Sequence, residues 1–164
     1  MTARLPGTKW GALFSAESDE WSTPLALFDG LNAEFGFDVD VAARQENAKC
    51  HRFFSVEENG LAVRWEGTCW MNPPYSDVTA WAQKAYRESR RGLCMVVGLL
   101  FSRTDTRWWH EYAMRASEIR FIRGRVKFTR PDRDSVGSPA PSAIIVWRAG
   151  FEGPPAISTW EQPH

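Results

Sequence analysis

A chain of 164 residues carries twenty Lys and Arg against twenty Asp and Glu, so its formal net charge is zero. The length fits one domain, and a hydrophobic share of 43% is ordinary for a globular protein. The balance excludes a uniformly basic surface, no apolar run reaches the ~18 residues of a membrane helix, and no signal-peptide pattern opens the chain. The expectation is a soluble, cytoplasmic protein with no membrane partner. Charge is unevenly spread. Residues 1–70 hold 6 basic and 11 acidic side chains, whereas residues 103–134 hold 9 basic and 5 acidic. A local basic face is compatible with that pattern, and so is a solvated surface. Cys50, Cys69 and Cys94 are widely spaced, with no Cys-x-x-Cys pair. That argues against a zinc site and against a disulfide framework. No metal is expected.

Residues 1–20 show no clean period and read as an arm. Residues 21–35 read as a capped helix, with Thr23 as N-cap and Pro24 at the first helical position, where its missing N–H costs nothing. Leu25, Phe28, Leu31 and Phe35 follow at helical spacing, and Gly36 ends the run. Residues 37–43 read as a strand in which Asp38 and Asp40 alternate with Val39 and Val41. A carboxylate at the end of a first strand suits a cationic or hydroxyl group of a cofactor. Arg52-Phe53-Phe54-Ser55 suggests a brief second strand, and Glu57-Glu58-Asn59-Gly60 is a turn cluster.

Thr68-Cys69-Trp70-Met71 reads as a strand that runs into Asn72-Pro73-Pro74-Tyr75. Two prolines fix φ and remove two N–H donors, so no ladder continues through them, and their carbonyls stay free to accept. Asn72 adds an amide and Tyr75 a flat ring. Free carbonyls, an amide and a ring suit a planar molecule with an amino group, such as a nucleobase. A proline turn with Tyr75 as an ordinary core ring is the plain alternative. A polar loop at the carboxyl end of a strand is, however, where open α/β sheets bind ligands.

Ser76 or Asp77 can cap the next helix, whose Val78, Trp81, Ala82, Ala85 and Tyr86 share a face. Leu93 to Phe101 is nearly all apolar, as in a strand buried on both faces. Thr104 or Asp105 can cap a helix carrying Trp108, Trp109 and Tyr112, which read as core rings. Glu118 to Ile122 is a strand, and Arg123-Gly124-Arg125 turns into Val126-Lys127-Phe128. Its basic side chains fit a solvated hairpin or a contact with DNA phosphates and bases. Residues 130–141 form a long polar loop, Ala143 to Trp147 a final buried strand, and residues 150–164 a tail. The fold class is therefore α/β in layers, with the strands near 118–129 and 142–147 forming an antiparallel hairpin at one edge. Residues 21–149 form the domain.

Asn72-Pro73-Pro74-Tyr75 resembles the Asn/Asp-Pro-Pro-Tyr motif of amino-group methyltransferases. With Trp21-Ser22-Thr23-Pro24, Asp40-Val41-Ala42-Ala43, Asn47-Ala48-Lys49-Cys50, Arg103-Thr104-Asp105-Thr106 and Gly124-Arg125, the chain resembles the small phage-type DNA N-6-adenine methyltransferases (Dam-like) over roughly residues 19–147. The resemblance implies a reduced, Rossmann-like methyltransferase sheet, S-adenosyl-methionine as cofactor and double-stranded DNA as partner. It implies cofactor contacts from Trp21, Thr23, Pro24, Asp40, Ala42, Asn59 and Leu61. It also implies catalysis by Asn72, Pro73, Pro74 and Tyr75, with Tyr75 stacked on a flipped adenine. The DNA readers would be Arg103, Thr104, Arg123, Arg125, Lys127, Arg130 and Arg133. One departure stands out: no glycine-rich loop follows the first strand. A cytosine-N4 methyltransferase, an idle DNA-binding protein on the same scaffold and a protein-glutamine methyltransferase are the alternatives. Neither a monomer nor a dimer is selected.

Overall fold

The computed structural model describes residues 21–130 and 133–163. The expected arm, residues 1–20, lies outside them, as do the side chains of Arg130 and Arg133. Helix α1 (Leu25–Phe35) leads into the short strands β1 (Val39–Asp40) and β2 (Arg52–Phe53), then β3 (Gly67–Met71). Helix α2 (Val78–Arg90), strand β4 (Cys94–Phe101), helix α3 (Arg107–Glu111) and strand β5 (Glu118–Ile122) follow. Strands β6 (Lys127–Arg130), β7 (Arg133–Gly137), β8 (Ser142–Trp147) and β9 (Ala156–Trp160) complete the order.

Seven strands form one sheet in the order β2-β1-β3-β4-β8-β5-β9. Strands β2, β1, β3 and β4 pair in parallel, and β8 runs antiparallel to both β4 and β5. Successive strand side chains point to opposite faces, and the core divides accordingly. Cys69, Met71, Val96, Leu100 and Ile145 face Trp81, Ala82 and Ala85 of α2. Trp70, Val97, Leu99, Ile144 and Val146 face Leu27, Phe28 and Leu31 of α1. Because both faces are covered, β4 and β8 read as continuous apolar runs.

Five expectations need correction. Helix α3 is capped at Thr106 and not at Thr104 or Asp105, with no side-chain cap bond. Thr23 does not cap α1. Pro24 occupies that position, with no side-chain cap bond, and the Thr23 hydroxyl is turned to a partner 49 residues away. The β5–β8 hairpin is not at an edge, because β9 pairs in parallel with β5 outside it. Residues 150–164 therefore supply a strand to the sheet. The polar stretch 130–141 contains β7, which forms a separate two-stranded ribbon with β6. Gly36 does end α1 as expected: its φ of 65° is left-handed, and its N–H donates to the Asn32 carbonyl at 2.9 Å.

Leu31 is wholly buried between α1 and the sheet. Leu31→Ala should lower unfolding free energy by about 2–5 kcal/mol, as measured by urea unfolding.

Candidate active site at the carboxyl ends of the parallel strands

Strands β2 and β3 lie on opposite sides of β1, so the chain's connections diverge there. Such a switch point leaves a crevice at the carboxyl ends of the strands. A cleft of about 330 Å³ opens at this place. Asp40, Ala42 and Arg44 reach it from the end of β1, Phe54 and Ser55 from the end of β2, and Trp70, Asn72 and Pro74 from the end of β3. Trp21, Thr23, Asn47, Lys49, Asn59, Gly60 and Trp81 are also in the wall.

The Asp40 carboxyl organises the loop that follows β1. Its Oδ1 accepts the Ala42 N–H at 3.3 Å, and its Oδ2 accepts the Lys49 N–H at 3.0 Å. Burial pushes this carboxyl up to about 6, against the opposing pull of the two N–H groups. A buried acceptor thus gathers the loop where other sheets use a run of glycines. Opposite it, Asn59 adopts a positive φ of 51°, and its Oδ1 accepts the Leu61 N–H at 3.2 Å. Gly60 sits so close to β1 that an added Cβ would lie 2.1 Å from the Val41 carbonyl oxygen. The Trp65 indole N–H donates to the Gly60 carbonyl at 2.8 Å, and the Trp65 and Trp81 rings stack behind the turn.

Asn72 is held by three partners. Its Nδ2 donates to the Trp21 carbonyl and to the Thr23 hydroxyl, both at 3.0 Å. Its Oδ1 accepts the Tyr75 hydroxyl at 3.0 Å, and that hydroxyl also lies 3.3 Å from the Leu99 carbonyl. Burial pushes the Tyr75 hydroxyl well above the ordinary phenol value, so it stays a donor. One face of the Tyr75 ring is stacked on Phe101 at 4.0 Å. Tyr75, Phe101, Arg103, Thr106 and Trp108 line a second cavity of about 390 Å³.

The structure brings together Trp21, Thr23, Asp40, Ala42, Asn59, Asn72 and Pro74 around the cleft. Pro24 and Leu61 stand outside its lining: the Pro24 carbonyl starts α1 by accepting the Phe28 N–H, and Leu61 packs on the core. Pro73 is buried, and Tyr75 and Arg103 face the second cavity. Thr104 is exposed, and its carbonyl lies 2.8 Å from His110 Nε2. Strands β4 and β5 both run opposite to β8, so Arg123 and Arg125 leave the sheet at the same edge as Arg103. They and Lys127 are exposed, and Arg123 pairs with Glu161 at 3.0 Å. A bridge between Ser22 and Thr129 ties β6 to the segment that holds Asn72. Arg44, Asn47, Lys49, Phe54 and Trp81 line the cleft although they were not among the expected site residues. The Asn47-Ala48-Lys49-Cys50 run was a signal for Asn47 and Lys49, whereas Phe54 and Trp81 read only as parts of a strand and a helix face. Among the described residues no group of His, Cys, Asp and Glu could hold a metal, and no helix is long and apolar enough to cross a membrane.

A family model described as DNA N-6-adenine-methyltransferase (Dam) matches residues 11–163. A protein of Haemophilus phage HP1 (strain HP1c1) named DNA N-6-adenine-methyltransferase is 34% identical over 110 residues, covering 65% of this chain and 64% of that protein. A protein of Escherichia phage T1 with the same name is 36% identical over 111 residues, covering 65% of this chain and 46% of that protein. The chain thus spans less than two thirds of the length of either relative.

Asp40 generates a pH prediction. Its folded value of about 6 lies above the ordinary 3.8, so the fold favours the neutral carboxyl. That stabilisation is full below the unfolded value and is lost as pH rises through the folded one. Between about pH 4 and about pH 7.5, wild type should lose up to about 3 kcal/mol relative to Asp40→Asn, as measured by urea unfolding. A pH-independent difference would contradict the assignment.

Proposed function

The chain belongs to the DNA N-6-adenine-methyltransferase (Dam) family, and on that premise we propose that it transfers a methyl group from S-adenosyl-methionine to the exocyclic N6 amine of adenine in double-stranded DNA. The observation that carries the reading is the convergence of Asn72 and Pro74 on a cleft that also holds Asp40, at the switch point of the sheet. The lining suits the cofactor. Trp21, Trp70, Trp81 and Phe54 offer flat apolar surface for an adenosine. Asp40, Asn47 and Asn59 offer acceptors for hydroxyl and ammonium groups, and Arg44 and Lys49 can meet a carboxylate. The bound cofactor supplies a methyl group activated by the positive charge on its sulfur.

The chain's own work is to prepare the amine. The N6 lone pair of adenine is delocalised into the ring and is a poor nucleophile. The Asn72 Oδ1 and the Pro73 carbonyl accept the two N–H hydrogens, which favours tetrahedral nitrogen and frees the lone pair. The N–C bond would form as the C–S bond breaks, leaving a neutral thioether, and the methylated amine would release one proton to water. Fixing amine and methyl in line supplies much of the rate. The target base must leave the stack to reach these acceptors. The second cavity, with Tyr75 and Arg103 in its wall, supports entry from the β4 side. Because Phe101 covers one face of Tyr75, a flipped base would use the other. Arg103, Thr104, Arg123, Arg125, Lys127, Arg130 and Arg133 are the proposed DNA contacts. Strands β6 and β7 pair as a two-stranded antiparallel ribbon, a kind of element that a major groove admits.

Asn72→Ala should lower the rate of methyl transfer by about a hundredfold or more with an unchanged circular dichroism spectrum. Full activity in that variant would sink the catalytic assignment. Lys127→Ala should weaken binding to unrelated duplexes equally and reduce the salt slope by about one, as measured by fluorescence anisotropy across a salt series. An unchanged slope would remove Lys127 from the interface.

A further inference from the structure

The Asn72 amide bridges the two cavities. Its nitrogen is tied to Trp21 and Thr23 in the wall of the cleft, and its oxygen to Tyr75 in the wall of the second cavity. An amide has two donor hydrogens and two acceptor lone pairs. Both hydrogens are committed, and Tyr75 takes one lone pair. A single lone pair is left for a substrate N–H.

We infer that the Trp21 carbonyl, the Thr23 hydroxyl and the Tyr75 hydroxyl form a clamp that fixes the Asn72 side chain in one orientation, with its oxygen presented to the amine of the target base, and that the Trp21 carbonyl is what requires an amide rather than a carboxylate at this position. The inference rests on the methyl-transfer reading and assigns Thr23 and Tyr75 as positioning residues within it.

The partners differ in what they tolerate. A hydroxyl both donates and accepts, so Thr23 can turn to meet nitrogen or oxygen. A backbone carbonyl only accepts, so Trp21 needs a donor facing it. An ionised carboxyl in an Asn72→Asp variant would set two acceptors against each other at a 3.0 Å separation. Protonation would restore a donor. Tyr75 complements this selection from the other side. Its only hydrogen has two acceptors in reach, the Asn72 Oδ1 at 3.0 Å and the Leu99 carbonyl at 3.3 Å, with Asn72 the nearer, and the orientation with nitrogen toward Trp21 places oxygen toward Tyr75. Its ring is independently seated on Phe101 and meets the edge of Phe128, so removing the hydroxyl need not displace the ring.

Among the described residues, the charged and titratable groups that line the two cavities are Asp40, Arg44 and Lys49 in the cleft, and Tyr75 and Arg103 in the second cavity. All are common to wild type and Asn72→Asp, so the ratio of their activities against pH reads the carboxyl at position 72 together with its coupling to Asp40.

The test has a structural and a kinetic arm on the full chain. By NMR, the side-chain amide signal of Asn72, identified by its loss in Asn72→Asp, should exchange with solvent about tenfold or more slowly than an exposed amide. Thr23→Val should speed that exchange. With duplex DNA and labelled S-adenosyl-methionine, Tyr75→Phe should lower kcat about tenfold, with KM for DNA within about twofold. The activity of Asn72→Asp relative to wild type should rise as pH falls. An Asn72 amide that exchanges freely, or an Asn72→Asp variant equal to wild type across the pH range, would overturn the clamp. A protected amide in a wild-type protein that methylates no DNA would uphold the clamp and defeat the methyl-transfer reading, so the two failures are distinguishable.

Discussion

An amide oxygen can be aimed at an incoming amine only if the amide nitrogen is satisfied elsewhere. An unpaired buried polar group costs about 1–3 kcal/mol and would pull the side chain round. At Asn72 that condition is met by residues far away in sequence. Trp21 and Thr23 lie 51 and 49 positions upstream, and they are themselves anchored through Ser22 to Thr129 of β6. The end of β3 and the segment that leads into α1 therefore meet at one side chain, and the β6–β7 ribbon is bridged to that segment through Ser22. The prolines that follow Asn72 make this possible, because they lack N–H donors and end the β-ladder, so the chain leaves the sheet there, and the Pro74 carbonyl turns to accept the Asp77 N–H at 3.2 Å.

The cleft beside this point solves a second problem by the same means. A loop that lines a cleft must place its N–H groups somewhere. Here the Asp40 carboxyl takes those of Ala42 and Lys49, which shapes residues 41–49 without glycines. The device has a cost, visible in the upward shift of that carboxyl: at neutral pH the fold carries a buried charge that two N–H bonds only partly offset. A cationic ligand in the cleft would favour the same ionised form.

What the sequence made legible was local or periodic. The apolar runs of β4 and β8 announce strands covered on both faces, and Trp81, Ala82 and Ala85 announce the inward face of α2. The Asn-Pro-Pro-Tyr run marked the place where the sheet opens, because its chemistry is unusual within four residues. What was not legible depended on partners distant in the chain. Thr23 has every local attribute of an N-cap, and only the folded chain shows its hydroxyl turned to Asn72. Ala156–Trp160 follows two prolines and exposes most of its side chains, so it reads as a tail although its backbone extends the sheet. Arg44, Asn47 and Lys49 enter the cleft because Asp40 gathers their loop, a contact that no periodicity encodes. The Tyr75 ring, expected to be free for a base, already has Phe101 on one face.

The proposal that this site methylates the amino group of adenine in DNA is tested by incubating the protein with unmethylated duplex DNA and S-adenosyl-methionine labelled in its methyl group, then digesting the DNA and identifying the labelled nucleoside. Label is expected in N6-methyladenine. Label in N4-methylcytosine, or in no nucleoside at all with a folded protein, would contradict it.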